Sequence, residues 1–396
     1  MTNDSGGINK VLIVTVISGF LPQFEYNDVK LLQKMGCEVH YASNFTNPVY
    51  RCNEKELLDA GIHIHRLTVE KSPMKVLDNL RTVRDLIHII DREKIRFIHC
   101  HNPMGGVTAR LAAWLSRQKP YVLYTAHGLH FYKGAPFFNR IIYYPAEWLF
   151  ANLTDAMITI NEEDYRNAGK LPLRRKNHVM RIHGVGVDDK VYRPHREIAA
   201  AKRKELGIPE NAVHIVTAAE LNDNKNQSVV IEALAKLNDK NIYYSICGRG
   251  KDAHKLQCLI REKGLEDRVR LTGYRYDMAD VLQCADIFAF PSKREGLGVA
   301  AVEALLCGIP LIVADNRGTR EYARNGVNAI VCRSGKAEEY ASAIGRMAHD
   351  EKLRKKFAGR CRDSAAEFTL KEVEKSMKRI YGKTLREAGV SVLRRG

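Results

Sequence analysis

Short apolar runs alternate with helical stretches along almost the whole of this 396-residue chain, and the alternation starts twice. In the first half, strand-like runs lie at 11–16, 38–42, 97–100 and 121–125, with helical patterns at 27–35, 78–91 and 106–117. A second series follows, with strand-like runs at 214–218, 243–247, 269–272, 287–290, 310–314 and 329–331. Helices such as 228–236 and 278–284 fall between them. Short apolar runs joined by helices predict parallel strands covered on both faces, which is the doubly wound α/β arrangement. Two strand sets predict two sheets, hence two Rossmann-like domains. Ligands bind such folds outside the C-terminal strand ends, so a cleft bordered by both sheets is expected. The join falls near 187–194, where Asp188, Asp189 and Pro194 interrupt the periodicity. It divides the chain into domains at 1–190 and 191–367. The stretch 365–385 is helical and basic with no strand after it, and either closes the second domain or reaches back to the first.

The charge limits the partners. Lys and Arg total 63 against 46 Asp and Glu, a net +17, of which +6 lies before residue 190 and +11 after it. Such a balance suits nucleic acid, an anionic membrane or a phosphorylated small molecule. Nucleic acid is set aside, because the charges are spread through helices without a motif of stacking aromatics. No apolar run approaches the roughly 18 residues of a membrane-spanning helix. The run at 11–21 contains Ser18 and Gly19, ends at Pro22 and lacks a basic start, so it does not read as a signal peptide. Nine scattered cysteines without a C-x-x-C point to a reducing cytosol, with neither a disulfide framework nor a zinc site.

Four segments could carry chemistry. In 290–303 a strand ends at Phe290, a loop carries Glu295, Gly296, Leu297 and Gly298, and a helix follows with Glu303 among apolar neighbours. Free N–H groups at a helix start favour an anion, and glycines let phosphate come close. At 100° per residue, eight residues place Glu303 about 80° round from Glu295, so both would face one ligand. The plain alternative is a capped loop and a solvated Glu303, which its apolar setting opposes. In 217–227 a polar turn of Asn222, Asp223 and Asn224 aims Lys225 above a strand end, where it would neutralise a diphosphate, the plain alternative being a solvated loop lysine. His127 precedes Gly128 at another strand end and reads equally as a cleft residue or a satisfied structural histidine, with His99 and His101 as weaker candidates. Without H-x-x-x-H or H-E-x-x-H, no metal is expected. Gly19 follows the first strand and Gly248-Arg249-Gly250 follows another, but G-x-G-x-x-G is missing, which opposes a dinucleotide cofactor.

Taken together, these residues resemble the retaining GT-B glycosyltransferases of family 4. The resemblance covers nearly the whole chain. It rests chiefly on Glu295-x7-Glu303 with Pro291-Ser292 before it and Gly308-Ile309-Pro310, Gly318 and Glu321 after it. Residues 155–161 and the turn 184–188 look like the family's inter-domain region. The run 125–147, with His127-Gly128, Phe131-Tyr132-Lys133-Gly134 and Tyr143-Tyr144-Pro145, looks like members that build capsular or exopolysaccharide units.

The resemblance implies a GT-B fold with an acceptor-side first domain and a nucleotide-sugar-binding second one. The terminal helix, about 368–396, would cross back onto the first. Glu303 would hold the donor ribose and Glu295 the donor sugar. Gly296, Leu297 and Gly298 would offer backbone amides, and Lys225, with Arg249 as a candidate second cation, would neutralise the diphosphate. His127 would approach the sugar, and Gly19 would leave room for phosphate or acceptor. No cofactor or metal is implied. The co-substrate would be a nucleotide sugar, UDP-linked, and the acceptor a saccharide or lipid-diphosphate-linked sugar. Ala219-Glu220-Leu221 departs from the family's Gly-Arg-Leu, replacing an arginine by an acid; Arg249, Arg294 and Arg275 are the candidate substitutes. A nucleotide-sugar epimerase and a non-catalytic assembly scaffold are the alternatives. A cytoplasmic enzyme acting on lipid-linked acceptors would approach the inner face of an anionic plasma membrane. Arg174-Arg175-Lys176, the cluster of Lys355, Lys356 and Arg360, and Phe131, Tyr132, Phe137 and Phe138 beside Lys133 are candidates for that contact.

Overall fold

A computed structural model describes residues 9–46 and 49–391. The chain forms two compact units, one of residues 1–185 with 373–396 and one of residues 186–372. The first holds a seven-stranded sheet of β1 (Asn9–Ile17), β2 (Cys37–Asn44), β3 (His63–Arg66), β4 (Phe97–His101), β5 (Tyr121–Ala126), β6 (Ala156–Thr159) and β7 (Val179–Arg181). Its order is β3-β2-β1-β4-β5-β6-β7, with every pair parallel. The second unit holds β8 (Val213–Ala218), β9 (Ile242–Cys247), β10 (Val269–Gly273), β11 (Ile287–Phe290), β12 (Leu311–Ala314) and β13 (Ala329–Cys332). Its order is β10-β9-β8-β11-β12-β13, again all parallel. Both are doubly wound α/β sheets.

The strands form where apolar side chains can be buried on both faces. Val11, Leu12, Ile13 and Val14 of β1 are wholly buried, as are all four residues of β12. In each sheet the chain reverses its direction of travel once, between β1 and β4 and between β8 and β11. Crossovers leave the two strands at such a point in opposite directions, so the loops beyond their C-terminal ends diverge and open a crevice.

Three strands escape the pattern read from sequence, each for a physical reason. His63–Arg66 is an edge strand with polar, partly exposed side chains, so it carries no apolar run. Val179–Arg181 is three residues at the other edge. The region expected between domains at 155–161 contains β6 instead, an interior strand paired with β5 and β7. The segment between β1 and the helical pattern at 27–35 is itself partly helical. A π-helical turn, Leu21–Glu25 with Pro22 in its first turn, runs directly into helix Tyr26–Lys34 and buries Glu25. Proline is tolerated there because first-turn N–H groups lack helical partners anyway.

The terminal helix Leu370–Glu387 joins the first unit from Val373 onward. Its Tyr381 hydroxyl lies 2.7 Å from His99 Nδ1 and donates to Asp28 at 3.0 Å, and Glu387 accepts from Tyr121 at 2.8 Å. Residues 392–396, the end of the segment expected to cross back, lie outside the described residues. No helix is long and apolar enough to cross a membrane among the described residues. The nine cysteines are free thiols.

Candidate active site

In the second unit the candidate residues gather at the reversal of the sheet. The loop after β8 carries Lys225, and the loop after β11 carries Glu295. Lys225 Nζ donates to Glu295 Oε1 at 2.5 Å, with side chains only 20% and 11% exposed. The ammonium also lies 5.3 Å from the centre of the Phe290 ring. Backbone stitching sets this pair. Lys293 N donates to Asn224 O at 2.8 Å, Asn224 Nδ2 to Arg294 O at 3.0 Å, and Lys293 Nζ to Asp223 at 2.8 Å. A polar turn and a charged loop thus become one rigid rim.

The third wall follows β12. Asn316 donates to Ser292 O at 2.9 Å, and the buried Arg317 donates from Nε to Glu295 O at 3.3 Å. Gly318 packs so closely that a Cβ there would lie 2.8 Å from Glu295 Cβ and 2.9 Å from Leu297 N. That contact, not backbone freedom, requires the glycine. Arg317 was missed in the sequence. The signal was its position after a strand adjacent to β11.

Glu295 is not on the helix. Helix Val299–Leu306 begins after Gly298, whose φ of +94° breaks the helical phase. The 80° relation between Glu295 and Glu303 therefore does not hold; they take different partners. Glu303 hydrogen-bonds the Tyr192 hydroxyl. Burial pushes its carboxyl up to about 7, with the Tyr192 bond opposing that rise. Tyr192 was not singled out, although it lies in the join that interrupts the periodicity. The helix start has no side-chain cap and no acid in its first turn, which leaves its positive end suited to an anion. Gly296 and Gly298 are half-buried in the preceding loop and Leu297 is buried.

The candidate second cations separate. Arg275 is committed to Asp277 at 2.5 Å and Glu205 at 2.6 Å, so it is not available to a diphosphate. Arg249 and Arg294 are exposed. Arg249 follows β9, and its carbonyl accepts from Leu221 N at 2.9 Å, tying it to the β8 loop. The flanking Gly248 and Gly250 have no space for a Cβ against Ala219 and Leu221. Glu220 is exposed, and its carbonyl accepts from Gln227 Nε2 at 3.0 Å and from Asn222 N at 3.1 Å.

In the first unit the corresponding reversal is equipped differently. Glu25 arrives from the turn after β1, His101 ends β4 and His127 follows β5. His101 Nδ1 is 3.1 Å from His127 Nε2, and Glu25 Oε1 is 3.5 Å and 3.6 Å from those two atoms. Phe20 stands edge-on to His127 with ring centres 5.0 Å apart. Burial pushes His127 down to about 4 and His101 well below its usual value. Burial likewise drives Glu25 upward, reinforced by Asp28. Burial thus biases all three groups toward their uncharged forms. Among the described residues this trio is the one group of three His, Cys, Asp or Glu close enough to share an ion. Gly19 is buried, and the space a Cβ would take is filled by Tyr50, 2.5 Å away at its carbonyl oxygen, not by an open pocket.

Comparison with known proteins gives these sites a context. The family described as "Glycosyl transferases group 1" matches residues 199–363, and "Glycosyl transferase 4-like" matches 11–161. The chain is 35% identical over 376 residues to "Putative glycosyltransferase EpsD" of Bacillus subtilis (strain 168), covering 94% of this chain and 96% of that protein. It is 25% identical over 285 residues to a UDP-Gal:alpha-D-GlcNAc-diphosphoundecaprenol alpha-1,3-galactosyltransferase of Escherichia coli, covering 71% and 73% of the two chains. Among solved structures, Anabaena Alr3699/HepE in complex with UDP and glucose superposes with a TM-score of 0.77 at 19% identity, covering 96% of this chain and all of that one. With two doubly wound parallel sheets, matches to both family descriptions and a relative of this closeness along its length, the chain belongs to the GT-B glycosyltransferases of the family 4 type.

Proposed function

We propose that this glycosyltransferase is a retaining, metal-independent hexosyltransferase. It moves a sugar from a UDP-linked donor to a saccharide or lipid-diphosphate-linked acceptor in surface polysaccharide or glycolipid synthesis. The observation that carries this reading is the Lys225–Glu295 pair at the sheet reversal, 2.5 Å apart and largely enclosed. Breaking a sugar–diphosphate bond builds negative charge on the leaving group and positive charge on the sugar. A preset cation beside a carboxylate complements both. In this reading Lys225 turns to the diphosphate, with Arg249 as its second cation. Glu295 takes the sugar hydroxyls and faces the reacting carbon. Gly296, Leu297 and Gly298 offer amides, and Glu303 accepts from the ribose. His127 is assigned to the transferred sugar. The acceptor attacks on the departing face and a phosphate oxygen takes its proton, which retains configuration without a protein base.

The relatives support the donor and acceptor classes. The Escherichia coli protein is named for a UDP-sugar donor and a diphosphoundecaprenol-linked acceptor, and the Anabaena structure holds UDP and glucose. A lipid-linked acceptor brings with it peripheral contact at an anionic membrane face.

Incubation with a panel of nucleotide sugars, with calorimetry for binding and released nucleotide for turnover, tests the reading. One UDP-sugar should bind and be consumed, and Glu295→Gln should lower turnover about 100-fold or more with the fold intact. A chelator should leave the rate unchanged. Loss of activity on chelation would overturn metal independence, and wild-type turnover in Glu295→Gln would remove the site assignment. Epimerised donor without acceptor would favour the epimerase, and no donor binding the scaffold.

A further inference from the structure

Helix Phe137–Ala151 is apolar on both faces. Its inward face packs Tyr144 and Ala151 on the core of the unit and adds one polar attachment. Glu147 pairs with Arg110 at 2.5 Å, and that wholly buried guanidinium stacks 4.3 Å from the Tyr124 ring centre. Its outward face is apolar. Phe138, Ile141, Ile142, Pro145, Trp148 and Leu149 follow the i, i+3, i+4, i+7 rhythm of one stripe, and all are exposed, Phe138 by 73% and Leu149 by 59%. Water does not favour such a face, so it calls for an occupant.

We propose that this stripe, continued by Trp114 and Leu115, is a docking surface for an anionic lipid bilayer. Three observations choose lipid. First, the chain has two tryptophans, and both lie here, Trp114 50% and Trp148 48% exposed. The Arg110–Glu147 pair joins the two helices that carry them. Indole rings with one apolar and one wet side are the residues of a membrane interface. Second, from 103 to 151 the exposed charges are all basic: Arg117, Lys119, Lys133 and Arg140. The one acid in that stretch, Glu147, is already neutralised by Arg110. Third, the same charges oppose a second copy, since a two-fold contact would set like charges together. An interfacial helix with basic flanks and large apolar residues lies in the headgroup plane without crossing it.

This assigns a surface to the membrane contact proposed above. It also corrects the candidates read from sequence. Phe131 is buried and so drops out of the contact. Phe137 and Phe138 remain exposed.

Because both tryptophans lie in the patch, their fluorescence reads docking without a label. The full chain is titrated with vesicles of phosphatidylethanolamine and phosphatidylglycerol, and separately with phosphatidylcholine alone. Blue-shifted emission and co-sedimentation are expected with the anionic vesicles and little of either with the neutral ones. Phe138→Ser combined with Ile142→Ser, both exposed, should lower vesicle partitioning about tenfold or more. Lys133→Glu combined with Arg140→Glu should remove the preference for anionic lipid. Donor hydrolysis should be unchanged in both variants, so a failure of docking and a failure of the transferase reading are told apart. Absent vesicle binding, or equal binding by the Phe138/Ile142 variant, overturns the proposal. A dimer in sedimentation that the same variant abolishes would instead give the face to a second copy.

Discussion

The two sheets reverse at equivalent places and equip the reversal with opposite chemistry. In the second unit the crevice beyond β8 and β11 holds a formal ion pair, Lys225 with Glu295, set in a rim of polar loops. In the first, the crevice beyond β1, β4 and β5 holds Glu25, His101 and His127, all shifted by burial toward their uncharged forms. One topology thus provides two kinds of site. The strands set where the loops open, and the few residues on those loops set whether charge is kept or suppressed.

Removing the charge in the second unit should have the largest effect. Lys225→Ala should lower kcat by about 100- to 1,000-fold, the cost of one preorganised charge-stabilising group. Steady-state kinetics at saturating donor checks it, and a change confined to KM would break the contrast. Removing the carboxyl in the first unit should appear as stability. Glu25→Ala removes the buried carboxyl 3.5 Å and 3.6 Å from the histidine nitrogens and should cost about 1–3 kcal/mol in chemical denaturation. Glu25→Gln should recover most of that loss, because it keeps the side chain's shape without a charge that burial disfavours.

Glu303→Ala should weaken donor binding about 10- to 100-fold, as for hydrogen bonds to a charged group. The pH dependence sharpens the comparison further. Glu303 is held protonated up to about 7. The carboxylate is the better acceptor for ribose hydroxyls, so donor affinity should rise as pH passes through 7 and fall below it. The same shift makes its contribution to stability full below the ordinary glutamate value near 4.5 and lost as pH rises through 7. His127, near 4, should add no inflection to donor binding between pH 5 and 8. The smallest effect belongs to Tyr192→Phe. Its hydroxyl lowers the Glu303 value, so its loss should move the midpoint upward by about one pH unit, measured by calorimetry across that range. A midpoint that stays in place would show that Tyr192 does not set it.

The fold was legible because it follows from apolar periodicity, a local property. Runs such as Val11–Val14 and Leu311–Ala314 are strands in any arrangement that covers both faces. What lacked that pattern was lost: the polar edge strand His63–Arg66 and the three-residue Val179–Arg181. The candidate site was legible in part. Lys225 and Glu295 stand on loops whose strands could be read, so their region followed, but a helical phase was wrongly extended across Gly298.

By itself, then, the sequence determined two doubly wound sheets, the loops that carry Lys225, Glu295 and His127, and a basic chain without a disulfide pattern. Tertiary structure alone decided the partners: Lys225 with Glu295 across 70 residues of chain, Glu303 with Tyr192, Glu25 with two histidines, and Arg110 with Glu147. It alone decided that Phe131 turns inward while Phe138 faces water. The reason is one of range. Strand and helix propensity act over a few neighbouring residues, whereas burial and pairing depend on which distant segments the sheet order brings together.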